Sequence, residues 1–352
     1  MIDLTKPIRL ETSRAWRTYL GGHMIDKLHG ENKEDTHFPE EWLLSAVRAR
    51  NSGREDIVEG LCYVYGTDVS LSELLAQNPE EVLGEKHIRK HRNNMGVLLK
   101  LLDAGERLTL QVHPTKERAG ELFQSEFGKT ECWHIVETRE INGEKPCIYM
   151  GFREHVTRAL WEKCFKEQNI PEMLDCLHKI EVQKGDTYII RGGVPHGIGA
   201  GCFLVEVQEP TDYTVRTERT TPSGLAVSDF MCHQGLGFEK MFECFTYQGL
   251  SFEETLKQYK VEPVTEKYDG YTIKQVIYPE ITDMFALNLI SVEKQVVLPK
   301  NDVFYGIYIL SGNGTINGET LNKCDHYLIP ASCEDVVIKG NLTFVQCFGP
   351  TS

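Results

Sequence analysis

No two of the eleven cysteines have C-x-x-C spacing, and their number is odd. That pattern speaks against a disulfide framework and a thiolate zinc site; reduced, mostly buried thiols in a cytoplasmic protein are expected. Long apolar runs are also missing. The longest, such as MGVLL (95–99) and YGIYIL (305–310), fall far short of a membrane span. The first residues, MIDLTKPIRLETSRAW, hold no apolar stretch of the kind a secretory signal needs. Positive charge is scarce: 38 Lys and Arg stand against 52 Asp and Glu, a net charge of −14. Nucleic acid and anionic membrane are poor partners for such a chain, because phosphate backbones recruit an excess of cations. A small phosphorylated ligand remains compatible, since it needs only a local positive pocket.

What is present is an ordinary globular composition, 41% hydrophobic and 26% charged over 352 residues. One large or two moderate domains follow from that length. The first ninety or so residues mix helix-like stretches with short strands. EEWLLSAVRA (40–49) fits a strand or an amphipathic helix equally. LSELLAQNPEEVLG (71–84) reads as a helix capped by Ser72, with Leu74 and Leu75 on its apolar face and Pro79 as its end.

From Met95 the texture changes to short alternating runs bounded by Gly, Asn and Pro: GERLTLQVHP, TECWHIVE, KPCIYMGF, GDTYIIRG and GCFLVEVQE. This is the pattern of an antiparallel sandwich or barrel. One helical interruption runs from about Glu154 to Leu177, with Val156, Leu160, Trp161 and Phe165 at helical spacing, and β texture resumes at Val182. An acidic, loop-like stretch near 249–268 precedes a last β-rich block from Tyr271 to Gly349.

That last block resembles the middle one. IVETREINGE (135–144) matches ILSGNGTINGE (309–319), and KGDTYIIRGGVPH (184–196) matches KCDHYLIPASCED (323–335). The two lags differ by about the length of the helical interruption. The expectation is therefore a mainly β protein of two barrels with helices inserted into the first. Residues 1–250 would form one domain, with its helical insertion near 154–177, and 251–352 a second. The same lags carry Glu131 onto Gly306 and His196 onto Asp335, so only the first copy is expected to hold chemistry. The GNG of SGNGTING (311–318) lacks the spacing of a phosphate-binding loop and reads as a hairpin turn.

The chemistry-bearing residues lie in LQVHP and KTECWH. Strand alternation puts Gln111 and His113 on one face, and Glu131 with Trp133 on one face with Cys132 and His134 opposite. His196 opens the strand after the Gly-Gly-Val-Pro turn. If all four point inward, Gln111, His113, Glu131 and His196 offer two imidazoles, a carboxylate and an amide oxygen. Such a donor set keeps positions open for water or substrate. Zinc is the first choice, with iron, manganese or cobalt also compatible. His134 is set aside as an exterior residue. His23, His29 and His37 read as surface or loop residues, and Glu41-Trp42 as a minor candidate for the pocket mouth.

Together, LLDAGERLTLQVHP (101–114), GKTECWHI (128–135), VQKGDTYIIRGGVPHGIGAG (182–201) and EVQEPTDYTVR (206–216) resemble the type I phosphomannose isomerases, a cupin-fold family, and particularly its shorter bacterial branch. The resemblance implies two cupin-like jelly-roll barrels, one zinc ion per chain held by Gln111, His113, Glu131 and His196, and Lys129 and Arg216 as catalytic residues. It implies interconversion of mannose 6-phosphate and fructose 6-phosphate through an enediol or enediolate. A fixed guanidinium at Arg216 suits the negative charge that develops there. The proton-carrying base stays open among Lys129, Asp212, Glu206 and a metal-bound water. Phosphate could be taken by Lys129 or Arg219, and TERTTPSG (217–224) lacks the lysine that longer members have there. Isomerisation of another sugar, a non-catalytic sugar-binding cupin and a bicupin oxygenase are the competing readings.

Overall fold

The structure, a computed structural model, describes residues 2–351. Its N-terminal part holds two six-stranded sheets. One runs in the order Ser13–Ala15, Glu40–Leu43, Leu98–Asp103, Cys202–Gln208, Glu131–Thr138, Thr187–Ile190, antiparallel throughout. The other runs Val215–Arg216, Gln111–Val112, His196–Ile198, Cys147–Arg153, Gly249–Leu250, with Leu177–Glu181 also paired to Cys147–Arg153. Leu102, Trp133, Ile135, Ile148, Tyr188, Ile198 and Leu204 fill the space between them.

Strand alternation explains the rest of the packing. The residues that face away from that space, among them Leu99, Leu101, Cys132, Val205 and Val207, join Val276, Leu287, Leu328 and Val345 of the C-terminal part in one shared core. The strand Cys202–Gln208 is thus buried on both faces. Any charge on its inner face, such as Glu206, has to be met by partners inside the protein.

The C-terminal part is a nine-stranded sheet in the order Ile8–Leu10, His326–Ile329, Tyr305–Ile316, Val336–Phe348, Ala286–Val292, Tyr271–Ile277, Val264–Tyr268. Two short strands, Gln295–Leu298 and Glu319–Leu321, pair onto it. Its interior is apolar, built from Ile290, Ile307, Ile309, Ile329, Ile338 and Phe344. The first strand of the chain, Ile8–Leu10, pairs antiparallel with His326–Ile329, so the N-terminus completes the last sheet.

The fold is mainly β, as expected, with several local corrections. Residues 40–43 are a strand. The helix expected over 71–84 is two helices, Leu71–Gln77 and Pro79–Leu83. Ser70 rather than Ser72 caps the first, in a capping box with Glu73, and Pro79 opens the second rather than ending the first. The helical interruption is the pair Arg158–Glu167 and Ile170–Asp175, and strand structure returns at Leu177, earlier than Val182. The stretch near 249–268 contains a helix, Phe252–Tyr259, with its own capping box from Ser251 and Glu254.

The GNG at 312–314 lies within the strand Tyr305–Ile316; the turn is made by Asn317-Gly318, both at positive φ. Gly306 faces the first part of the molecule, where an added Cβ would meet Leu44, so the repeat lag misplaces the inward position by one residue. Neighbouring Ile307 faces the apolar interior instead, and Asp335 is exposed and accepts a bond from the Lys300 amide. All eleven cysteines are free and ten are buried. Among the described residues no helix is long and apolar enough to cross a membrane.

Candidate metal centre and charged lumen

Three separate strands bring the donor atoms together. His196 pairs directly with Gln111 across adjacent strands, while Glu131 comes from the facing sheet. One ligand atom from each of His113, Glu131 and His196 lies within 4.8 Å of the others, and all three residues are buried. Among the described residues this is the one such grouping of His, Cys, Asp or Glu. Each imidazole is held by its far nitrogen: His113 Nδ1 lies 2.8 Å from the Tyr213 carbonyl, and His196 Nδ1 2.8 Å from that of Val194. Donation to those carbonyls fixes the tautomer and leaves both Nε2 lone pairs facing the shared space, as metal-ligating histidines require. Gln111 Nε2 lies 3.3 Å from His196 Nε2. A half-turn of the amide puts its oxygen in the same place.

Lys129 supplies the cation in this cup. Its Nζ is 2.9 Å from His113 Nε2 and 2.8 Å from Glu131 Oε2. Burial, followed by Lys129, pulls the His113 pKa down to about 3, and burial lowers that of His196. Burial opposes ionisation of Glu131, yet the neighbouring Lys129 ammonium holds it well below the usual carboxylate range. Two neutral imidazoles and an ionised carboxylate around one cation-sized space are the protonation states a divalent metal needs. The donor set therefore fits a metal.

Beyond Gln111 and Lys129 the interior is unusually charged. Arg17 Nε reaches Glu40 at 3.0 Å and its Nη2 reaches Asp212 at 3.2 Å; Lys100 Nζ lies 3.5 Å from Glu40 and 2.9 Å from Glu206. Trp42 lies beneath both cations, 5.0 Å from the Arg17 guanidinium and 5.2 Å from Lys100 Nζ. Against the cost of burial, Arg17 and Lys100 keep Glu40 ionised, while Glu206 and Glu40 raise the Lys100 pKa. Glu206 moves the other way. Its contact with Lys100 is an ion contact without hydrogen-bond alignment, and burial together with nearby Glu131 raises its pKa despite that cation. One carboxyl held low (Glu40) and one held high (Glu206) in the same lumen is how proteins separate acid from base roles.

Arg216 lines this lumen and donates from Nη1 to the carbonyls of Thr214 and Met231, both at 3.1 Å. Burial lowers its pKa. The lumen cavity measures about 30 Å³, room for roughly two waters. Asp212 separates it from a vestibule of about 990 Å³ lined by Arg48, Arg50, Asn51, Tyr213, Phe230 and Gln234 among others.

Of the six residues expected at the site, Gln111, Lys129 and Arg216 line the lumen, and His113, Glu131 and His196 cluster behind Gln111 and Lys129. His134 points to the opposite strand face, as expected, but it is buried there and its Nδ1 lies 2.9 Å from Thr187 Oγ1, because the C-terminal part covers that face. Arg219 pairs with Asp229 instead of entering the lumen. Trp42 packs behind Arg17 and Lys100 rather than at a pocket mouth, while Glu41 points away to His29 (2.8 Å) and Tyr308 (3.1 Å). Arg17, Glu40 and Lys100 were not anticipated. The available signal was Lys100 itself, the one charge in the run VLLKLL (97–102).

Comparison with known proteins finds likeness in both halves of the sequence. Residues 58–130 match the phosphomannose isomerase type I catalytic domain, and residues 274–348 the mannose-6-phosphate isomerase cupin domain. The first match ends one residue before Glu131, so His196 and Arg216 lie outside both. The chain is 29% identical over 217 residues to the mannose-6-phosphate isomerase of Streptococcus mutans, 60% of each chain. It is 24% identical over 262 residues to a mannose-6-phosphate isomerase of Bacillus subtilis, 71% of this chain and 73% of the other. A crystal structure of mannose 6-phosphate isomerase from Bacillus subtilis shares the fold over 97% of this chain and 99% of its own, with a TM-score of 0.75 at 23% identity. In both halves of its sequence the chain is thus similar to the type I phosphomannose isomerases, a family of isomerase enzymes, and its fold is theirs over nearly its whole length.

Proposed function

We propose that the protein is a metal-dependent aldose–ketose isomerase that interconverts mannose 6-phosphate and fructose 6-phosphate. The observation that carries this reading is the convergence of His113, Glu131 and His196 on one cation-sized space, beside which Gln111 and Lys129 line the lumen that also holds Glu206, Lys100 and Arg216. Zinc held by these three residues and the Gln111 amide oxygen would supply Lewis-acid polarisation of the sugar oxygens.

The remaining work falls to the chain's own side chains. Moving a proton between C1 and C2 needs a group that accepts it and returns it to the neighbouring carbon. Glu206 suits that task, because its raised pKa lets the carboxyl hold a proton nearer neutral pH than an exposed glutamate does. Lys100, 2.9 Å away, favours the ionised form once the proton has moved on. Negative charge growing on O1 and O2 would meet the Arg216 guanidinium, fixed before substrate arrives, and the Lys129 ammonium once it is displaced from the donor cup by metal. Charged walls that keep only about two waters between them limit competing exchange with solvent.

The test is turnover of mannose 6-phosphate by the purified protein, with fructose 6-phosphate identified as product. Other aldose phosphates and free mannose are run alongside. Formation of fructose 6-phosphate in preference to other ketoses is the expected result. Turnover of a different aldose alone would transfer the same site to another sugar. Binding of sugar phosphate without any turnover would make the protein a sugar-binding cupin.

A further inference from the structure

The lumen is too small for a phosphorylated hexose, so most of such a substrate must lie in the adjoining vestibule, whose volume is that of a ligand site. The charges lining that vestibule are nearly all engaged. Asp212 is bonded to Arg17, and Glu126 pairs with Arg92 at 3.3 Å. The Glu55 carboxylate accepts from the Gly53 amide. Arg48 donates to the carbonyls of Glu55 and Ile57.

Arg50 is the exception. Among the described residues its guanidinium has no carboxylate partner; it lies over the Tyr213 ring, 4.8 Å from the centroid. Its position is nonetheless well fixed. The Arg50 amide donates to Asp212 Oδ2 at 2.8 Å, and Tyr213 stacks on Phe123 with centroids 4.4 Å apart. The Tyr213 carbonyl is the group that orients His113. One short stretch, Asp212-Tyr213, thus ties Arg50 at the mouth to the donor set inside. A planar guanidinium on an aromatic platform leaves its outer N–H fork free for a bidentate oxyanion.

We propose that Arg50 is the seat of the substrate's phosphate group, a specificity-determining residue that holds the dianion in the vestibule while the sugar end enters the lumen. This rests on the phosphosugar reading above. In that reading Arg219, paired with Asp229, is not the seat, and Lys129 serves the reacting oxygens.

The test pairs equilibrium binding with kinetics on the full chain. Fructose 6-phosphate and inorganic phosphate are titrated calorimetrically into wild type, Arg50→Ala, Arg50→Lys and Arg48→Ala; KM and kcat for mannose 6-phosphate are measured in parallel. Arg50→Ala should weaken both ligands and raise KM by roughly 10- to 100-fold with a much smaller change in kcat. Arg50→Lys should recover part of the loss, and Arg48→Ala should change little. Unchanged binding in Arg50→Ala, or no binding of either probe to wild type, overturns the seat whatever the turnover. Binding that depends on Arg50 in a protein that isomerises nothing keeps the seat and removes the isomerase instead. An equal loss in Arg48→Ala would also overturn it, because the vestibule's overall charge would then explain the effect.

Discussion

Lys129 Nζ stands 2.9 Å from His113 Nε2, inside the cup that the donor atoms form. The ammonium and a divalent metal therefore compete for one space, and a bound metal requires Lys129 to swing aside. Lys129→Met should bind zinc more tightly than wild type, by about tenfold or more in a chelator-competition titration, because a like charge has been removed. The same variant without metal should be less stable by about 3–5 kcal/mol, since Glu131 is left buried and unpaired. Weaker zinc binding in Lys129→Met would mean that the lysine supports the metal rather than excluding it.

Glu206 is the residue whose protonation the lumen controls most directly. Glu206→Gln should lower kcat by roughly 10²- to 10⁴-fold and leave metal content unchanged. In wild type, activity should rise with pH as the raised Glu206 carboxyl ionises, and the residual activity of the variant should lack that limb. A variant that keeps the limb places the titrating group elsewhere.

Two bonds to backbone carbonyls fix the Arg216 guanidinium at the lumen wall. Replacement by Ala should cut kcat by roughly 10²-fold or more, with KM less affected. Lys should restore little, because it cannot reproduce two carbonyl contacts and a planar face together. Turnover near wild type in Arg216→Ala would remove the guanidinium from the chemistry.

His134 provides a test of stability that involves no substrate. Burial lowers its pKa from 6.5 to about 4 in the folded protein. Between those values the unfolded chain binds more protons, so stability is lost as pH falls through that window. His134→Gln removes the titration. Between pH 7 and pH 5 the variant should lose about 2 kcal/mol less stability than wild type in denaturant unfolding. Equal losses would show that other groups dominate acid sensitivity.

The donor set was legible because strand alternation and the Q-x-H and K-x-E spacings each fix a face, and a single wrong parity would have scattered the four residues. The same reasoning failed at Gly306, where the repeat lag is one residue off and so reports the opposite face. It also called His134 exterior, because parity gives the side of a strand but not what covers that side. Arg17 and Glu40 carry no local pattern, and the lone charge of Lys100 in its apolar run names no partner; the three meet only when strands far apart in sequence are paired. Arg50 sits in the basic run RARNSGR (48–54), which composition alone reads as a solvated loop. The short helices Lys116–Phe123 and Phe252–Tyr259 are set by their N-terminal caps, Thr115 in one and the Ser251–Glu254 box in the other, a signal easily lost among loop residues.

The most direct measurement follows fructose 6-phosphate formation from mannose 6-phosphate as metal is removed and restored, in wild type and in His196→Asn. Chelated wild type should lose turnover and regain it on addition of zinc, whereas His196→Asn should stay inactive at zinc concentrations that restore wild type. Undiminished turnover in protein shown to be free of metal would contradict the role assigned to His113, Glu131 and His196.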